Sequence, residues 1–112
     1  MGSNYSTIKS VNFEDVKNVE KNNYLLISTL PDTSQDCLIY YTIPVEKEVK
    51  LVEESIKNKS VIIIYGFNYT DSSIYKKYNQ IKGLGHNNVY IYQGGLFEWL
   101  VLQDIYGDSE FK

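Results

Sequence analysis

Residues Val61 to Ile81, VIIIYGFNYTDSSIYKKYNQI, run from a greasy segment through a short polar loop into a helical stretch. A loop in that position commonly holds an anion or a nucleophile, because its amides and the helix N-terminus present partial positive charge. This loop opens on Gly66, which has no side chain to attack with. It closes on Asp71, whose charge opposes a bound anion. Asp71 has another role open to it, as the N-cap of a helix beginning Ser72-Ser73. The rest of the chain offers little reactive material. Cys37 is the one cysteine and His86 the one histidine. One cysteine makes no internal disulfide and no zinc pattern, so no metal or cofactor is expected. Cys37 reads first as a buried, inert thiol, since nothing basic adjoins it to lower its pKa. His86, in GLGHNN, reads as a solvated turn residue.

The elements that would position the loop follow from periodicity. A short strand-like piece lies at Thr7-Ile8-Lys9. Asn12 caps a helix running Phe13 to Val19, with Phe13, Val16 and Val19 on one face and two acids in its first turn. Tyr24 to Ile27 is a continuous apolar run, read as a buried strand. Leu30 to Asp36 is a loop with Pro and Asp as turn signals, and Cys37 to Ile43 is extended. Pro44 suits the first turn of a helix whose stripe is Val45, Val49, Val52 and Ile56. Glu46-Lys50 and Glu53-Lys57 are i,i+4 pairs on its exposed faces. Val61 to Tyr65 is the most hydrophobic strand. The helix after the loop carries Ile74, Tyr78 and Ile81 on one face and ends at Gly83 and Gly85. Val89 to Tyr92 is a strand, Gln93-Gly94-Gly95 a turn, and Leu96 to Gln103 a last helix with Phe97, Trp99 and Leu100. Strands that read as runs and alternate with helices specify an α/β fold: a three-layer sandwich around a mainly parallel sheet of about five strands. Sites in such folds form at the carboxyl ends of strands, where the loop Gly66 to Asp71 lies.

The bulk properties bound the function. The chain of 112 residues suits a single domain, residues 1–112, with 43% hydrophobic and 22% charged residues. A net charge of -3 excludes a general attraction to nucleic acid. The 11 tyrosines read as packing residues with hydroxyls at the surface, because basic residues are not interleaved with them. No stretch is apolar enough to span a bilayer, and no secretory signal is visible. Cysteine usage points to a reducing, cytoplasmic setting. Met1-Gly2-Ser3-Asn4-Tyr5-Ser6 fits the N-myristoylation pattern at Gly2, although a short Gly-Ser start also arises by chance. One myristoyl chain gives only about 10⁴ M⁻¹ of membrane affinity, so attachment would need a protein partner or an oligomer as well. The segment 104–112 is acidic with spaced aromatics and reads equally as an edge-packing or a partner-contacting tail.

The order of strand, six-residue loop and helix, then Gly85-His86-Asn87-Asn88-Val89-Tyr90, then Gly94-Gly95 and Glu98-Trp99, resembles the second half of a rhodanese-like domain. That family typically ends the strand in Cys, closes the loop on Arg-Ser, and continues G-x-x-N-V-Y and G-G-x-x-x-W. The first half resembles it more loosely. Leu25-Leu26-Ile27-Ser28 stands where the family has a strand ending in Asp, and Thr42-Ile43-Pro44 resembles its N-I-P. Ile74-Tyr75-Lys76-Lys77-Tyr78 and Gly95-Leu96-Phe97-Glu98-Trp99-Leu100 are also similar to rhodanese-domain proteins of giant DNA viruses, which implies virion association as one setting.

The resemblance implies that an active member would carry sulfur on the loop Cys and use the Arg as a fixed cation. Gly66 and Asp71 replace both. The expectation is a catalytically inactive domain whose degenerate loop, Gly66, Phe67, Asn68, Tyr69, Thr70 and Asp71, has become an interaction or structural element. Its partner would be a protein, with Phe67 and Tyr69 as the contacting aromatics. The alternatives are a sulfurtransferase or phosphatase-like enzyme of altered chemistry using Cys37 or Asp71, and a small-anion binder at the 66–71 loop.

Overall fold

Among the residues described in the computed structural model, 8–31, 38–68, 70–107, 109 and 111, the apolar runs become strands and the periodic stretches helices. In chain order the elements are β1 (Ser10–Val11), α1 (Phe13–Lys17), α2 (Val19–Asn22), β2 (Leu25–Ser28), α3 (Val45–Asn58), β3 (Ile62–Tyr65), α4 (Ser72–Gly83), β4 (Val89–Tyr92) and α5 (Gly95–Tyr106). Gly2, Cys37 and Tyr69, singled out from the sequence, lie outside the described residues.

The strands form a four-stranded sheet in the order β1-β4-β3-β2, parallel throughout. β3 is inner and buried at every residue, as a strand covered on both faces requires. Its residues alternate between two cores. Ile63 and Tyr65 join Val16, Val19, Leu26, Tyr92, Leu96 and Trp99, so α1, α2 and α5 cover that face. Ile62 and Ile64 join Ile27, Val52, Ile74, Tyr78, Ile81, Val89 and Ile91, so α3 and α4 cover the other. The result is the α/β three-layer sandwich that the sequence predicts.

Several local expectations change. The first strand sits slightly later than Thr7-Ile8-Lys9, at Ser10–Val11. Asn12 caps α1 with a full capping box: its Oδ1 accepts from the Glu14 amide at 3.0 Å, and Asp15 accepts from the Asn12 amide. The helix does not run on to Val19. Asn18 leaves helical geometry, with its Nδ2 donating to the Glu14 carbonyl at 3.0 Å. Such side-chain bonding to the backbone competes with helix continuation. The segment expected to be extended from Cys37 to Ile43 turns at Tyr40 and Tyr41 and touches the sheet at one parallel bridge, Thr42 to Leu26. Among the described residues the sheet therefore has four strands, not about five. What anchors this segment is Tyr65, whose hydroxyl accepts from the Ile39 amide at 3.1 Å and bonds Thr42 Oγ1 at 2.6 Å.

Helix α3 is rotated relative to its expected stripe. Val52 and Ser55 are buried, while Val45 and Val49 are exposed. Pro44 is its N-cap residue, one step before the position expected. The i,i+4 ion pairs expected along it do not form among the described residues. An interhelical pair does, with Lys77 Nζ of α4 at 2.6 Å from Glu48 Oε2 of α3. The acidic tail packs back in part: Phe111 is buried and stacks edge-on against Trp99 with centroids 5.1 Å apart. No helix among the described residues is long and apolar enough to cross a membrane.

Candidate functional site

The loop Gly66 to Asp71 leaves the carboxyl end of β3 and enters α4, as the sequence predicts. Asp71 is the N-cap of α4. Its Oδ1 accepts from the Ser73 amide at 3.0 Å and from the Ser73 hydroxyl at 2.6 Å. Its Oδ2 accepts from the Phe67 amide at 3.2 Å. The carboxylate thus takes an amide from each end of the loop and sits inside it as an internal anion. Partial burial pushes the carboxyl pKa up. The Ser73 hydroxyl and the Phe67 and Ser73 amides outweigh that and hold it below the ordinary value. Asn68 closes the turn by accepting from the Thr70 amide at 3.0 Å and hydroxyl at 2.6 Å.

The space in front of Gly66 is occupied. A Cβ there would lie 2.5 Å from Asp71 Oδ2, 2.8 Å from Ile74 Cγ1 and 2.9 Å from Thr29 Oγ1. Thr29 follows β2, and its hydroxyl is 2.7 Å from Ser73 Oγ. The carboxylate, a hydroxyl and a methylene fill the volume a side chain at position 66 would claim.

On its other side the loop holds the last helix. The Gly66 carbonyl accepts from the Leu96 amide at 2.9 Å, and the Phe67 carbonyl from the Phe97 amide at 2.8 Å. These carbonyls satisfy amides that the first turn of α5 would otherwise leave unpaired. The approach needs Gly95, which has φ +64 and whose Cβ would meet the Gly66 and Phe67 carbonyl oxygens at 2.6 and 2.7 Å. The sequence reading missed this coupling. Its one local signal is Gly94-Gly95 directly before an apolar helix.

His86 is not part of this site. It precedes β4 and so lies at the amino end of the sheet, a strand's length from the loop. It is also not solvated: 3% of it is exposed, and its Nδ1 accepts from the Asn88 amide at 3.1 Å. Burial pushes its pKa down, the Ser60 backbone offsets part of that, and Lys82 adds to the lowering. At the far edge of the loop Phe67 is exposed, as expected, and its ring meets Phe97 with centroids 6.0 Å apart. Among the described residues no His, Cys, Asp and Glu group could hold a metal ion.

This architecture has solved counterparts. The Alr3790 protein from Anabaena sp. superposes with a TM-score of 0.64 at 17% identity, over 82% of this chain and 86% of that one. The reduced CoADR-RHD of Bacillus anthracis, a rhodanese-homology-domain protein, superposes at 0.56 with 18% identity over 93% of this chain. The fold is rhodanese-like. SSP1007 from Staphylococcus saprophyticus matches at 0.55 with 14% identity, over 94% of this chain and 99% of that one. The rhodanese-like chain spans 18% of the Bacillus protein. At these identities the likeness bears on fold alone. No family model and no curated protein matches the sequence.

Proposed function

We propose that this rhodanese-like domain is catalytically inactive and works as a protein-interaction or structural module. The observation that carries the reading is the filled cradle. Gly66 supplies no nucleophile, and the Asp71 carboxylate takes the Phe67 amide and crowds the space in front of Gly66. An incoming sulfane or phosphoryl anion would meet a fixed negative charge where it needs donors. The loop keeps a mechanical task, capping α4 with Asp71 and holding α5 with its carbonyls.

The full chain incubated with thiosulfate and cyanide is expected to form no thiocyanate and to gain no sulfur by intact mass. It is also expected to release no phosphate from an aryl phosphate. A persulfide adduct or turnover above a heat-killed control overturns the reading. Thermal stabilisation by millimolar sulfate or phosphate would favour the small-anion alternative instead, since a ligand of the native state raises stability. Myristoylation at Gly2, with attachment to a membrane or virion alongside a protein partner, belongs to the same proposal. An intact mass of the natively expressed protein with Gly2 unmodified removes that part.

A further inference from the structure

His86, the one histidine of the chain, is buried in the turn between α4 and β4. Its Nδ1 accepts from the Asn88 amide at 3.1 Å. In the neutral ring the hydrogen therefore sits on Nε2. Nε2 is buried and completes no hydrogen bond among the described residues. Asn88, the residue that His86 holds, ties three elements together. Its carbonyl accepts from the Ile62 amide at the start of β3 at 2.9 Å. Its Nδ2 donates to the carbonyl of Lys59, the C-cap of α3, at 2.9 Å, and β4 begins at the next residue. The chain makes the same two-residue clasp with Asn12, Asn58, Asn68 and Asp71, whose oxygens accept from the amides of Glu14, Ser60, Thr70 and Ser73. Of these five clasps, the one at His86 uses a nitrogen that takes up a proton near neutral pH.

Protonation works against this clasp. A hydrogen on Nδ1 would point at the Asn88 N–H, donor against donor, and leave that amide without its acceptor. The charged side chains beside the ring are cations, Lys82 in the last turn of α4 and Lys59 after α3. Ser60, leading to β3, and Asn87-Asn88, leading to β4, bring no charge. A hollow of about 280 Å³ lies against the ring, lined by Ile56, Lys59, Gly85, Asn87 and Asn88, so a charged ring has a way toward water. Burial, with the Ser60 backbone opposing it and Lys82 adding to it, holds the His86 pKa below its ordinary 6.5. The folded chain thus favours the neutral ring. The contribution of the clasp is full above the ordinary value and is lost as pH falls through the lower folded value.

We propose that His86 is a pH-sensitive latch at the amino end of the sheet: neutral, it holds the 86–88 turn and, through Asn88, the junction of α3, β3 and β4; protonated, it releases that turn toward the adjoining hollow and solvent. The latch is independent of the loop Gly66 to Asp71, which lies at the opposite, carboxyl end of the sheet.

The test reads amide exchange of the full chain, residue by residue, at about pH 7.5 and about pH 5, with each rate corrected for intrinsic exchange at that pH. The His86 ring is titrated alongside by NMR. The ring is expected to titrate below its ordinary value, because only then does protonation favour the open turn. Protection at Asn88, and at Ile62 whose amide the Asn88 carbonyl holds, is expected to fall about tenfold at the lower pH. Leu96 and Phe97, held at the other end of the sheet, should keep theirs within about twofold. His86→Asn retains an oxygen acceptor two residues before Asn88, as Asn58 and Asn68 do for Ser60 and Thr70, and should keep the protection at both pH values. His86→Phe should lose it at both. Protection at Asn88 that stays constant while the ring titrates overturns the proposal. So does an equal loss in His86→Asn, which assigns the effect to other groups, or an equal loss at Leu96 and Phe97, which makes it unfolding of the whole domain. If His86→Asn does not fold, the two wild-type readings decide: a ring titrating at or above its ordinary value, or unchanged protection across its titration, removes the latch.

Discussion

The Asp71 carboxylate closes its own loop, accepting from the Phe67 amide through one oxygen and from the Ser73 amide through the other. Its N-cap bond to Ser73 is local, so the residue types Asp-Ser-Ser are enough to foresee it. Its bond to the Phe67 amide depends on how the whole loop closes. Asp71→Ala is expected to cost about 1 kcal/mol at neutral pH, as loss of a capping carboxylate does. The sign with pH follows from the lowered pKa. The ionised form is favoured in the folded state, so its contribution is full above the ordinary value of 3.8 and is lost as pH falls through the lower folded value. Urea unfolding of wild type and variant should therefore converge in acid, and a gap that stays constant with pH contradicts the role. Gly66→Cys tests the filled cradle directly. A thiol at this position should give no sulfur transfer and should destabilise by about 1–3 kcal/mol, because three packed side chains must move. A stable, sulfur-accepting variant would show the cradle to be open. His86 was illegible at this scale. Its burial and its interaction with the Ser60 backbone, remote in sequence, come from the fold, while GLGHNN itself reads as a turn.

At the scale of elements, the legible features were those set by residues close in sequence. The buried run Ile62–Tyr65, the capping of α1 by Asn12 and the apolar face of α4 follow from local pattern alone. The misjudged features depend on which surface an element meets. Val45 and Val49 fit a helical stripe, yet α3 packs through Val52 and Ser55, and only the crossover onto the sheet decides that rotation. Likewise the extended reading of 37–43 fails where Tyr65 pulls the Ile39 amide and Thr42 to itself. The join between the loop and α5 is the element-level contact with the clearest test. Gly95→Ala would place a Cβ within 2.6 Å of the Gly66 carbonyl at a φ of +64, so the chain must either strain or withdraw α5 from the loop. A loss of about 1–3 kcal/mol is expected, with faster amide exchange at Leu96 and Phe97, whose donors the loop carbonyls hold. Unchanged exchange at those amides would mean that the loop does not hold the helix.

For the molecule as a whole, the two cores are separate in composition but share the strands β2, β3 and β4. Ile63 serves the face under α1, α2 and α5, and Ile64 serves the face under α3 and α4. Both are fully buried, and their register partners on the neighbouring strands are Leu26 and Tyr90 for Ile63, and Ile27 and Ile91 for Ile64. Neither face can loosen without exposing backbone hydrogen bonds of the strand that supports the other, so the domain should unfold as one unit. Ile63→Ala and Ile64→Ala are each expected to cost about 2–5 kcal/mol, against a total that for a domain of this size is about 5–15 kcal/mol. Each should lower the same single transition, seen alike by tryptophan fluorescence, which reports the Trp99 face, and by far-UV circular dichroism, which reports all helices. If Ile64→Ala lowered the circular-dichroism midpoint and left the fluorescence midpoint in place, the two faces would be independent. That separability bears on the site, because a face that loosens alone could not hold α5 against the loop. A single transition means that Asp71, the loop and α5 are held by the stability of the entire sheet.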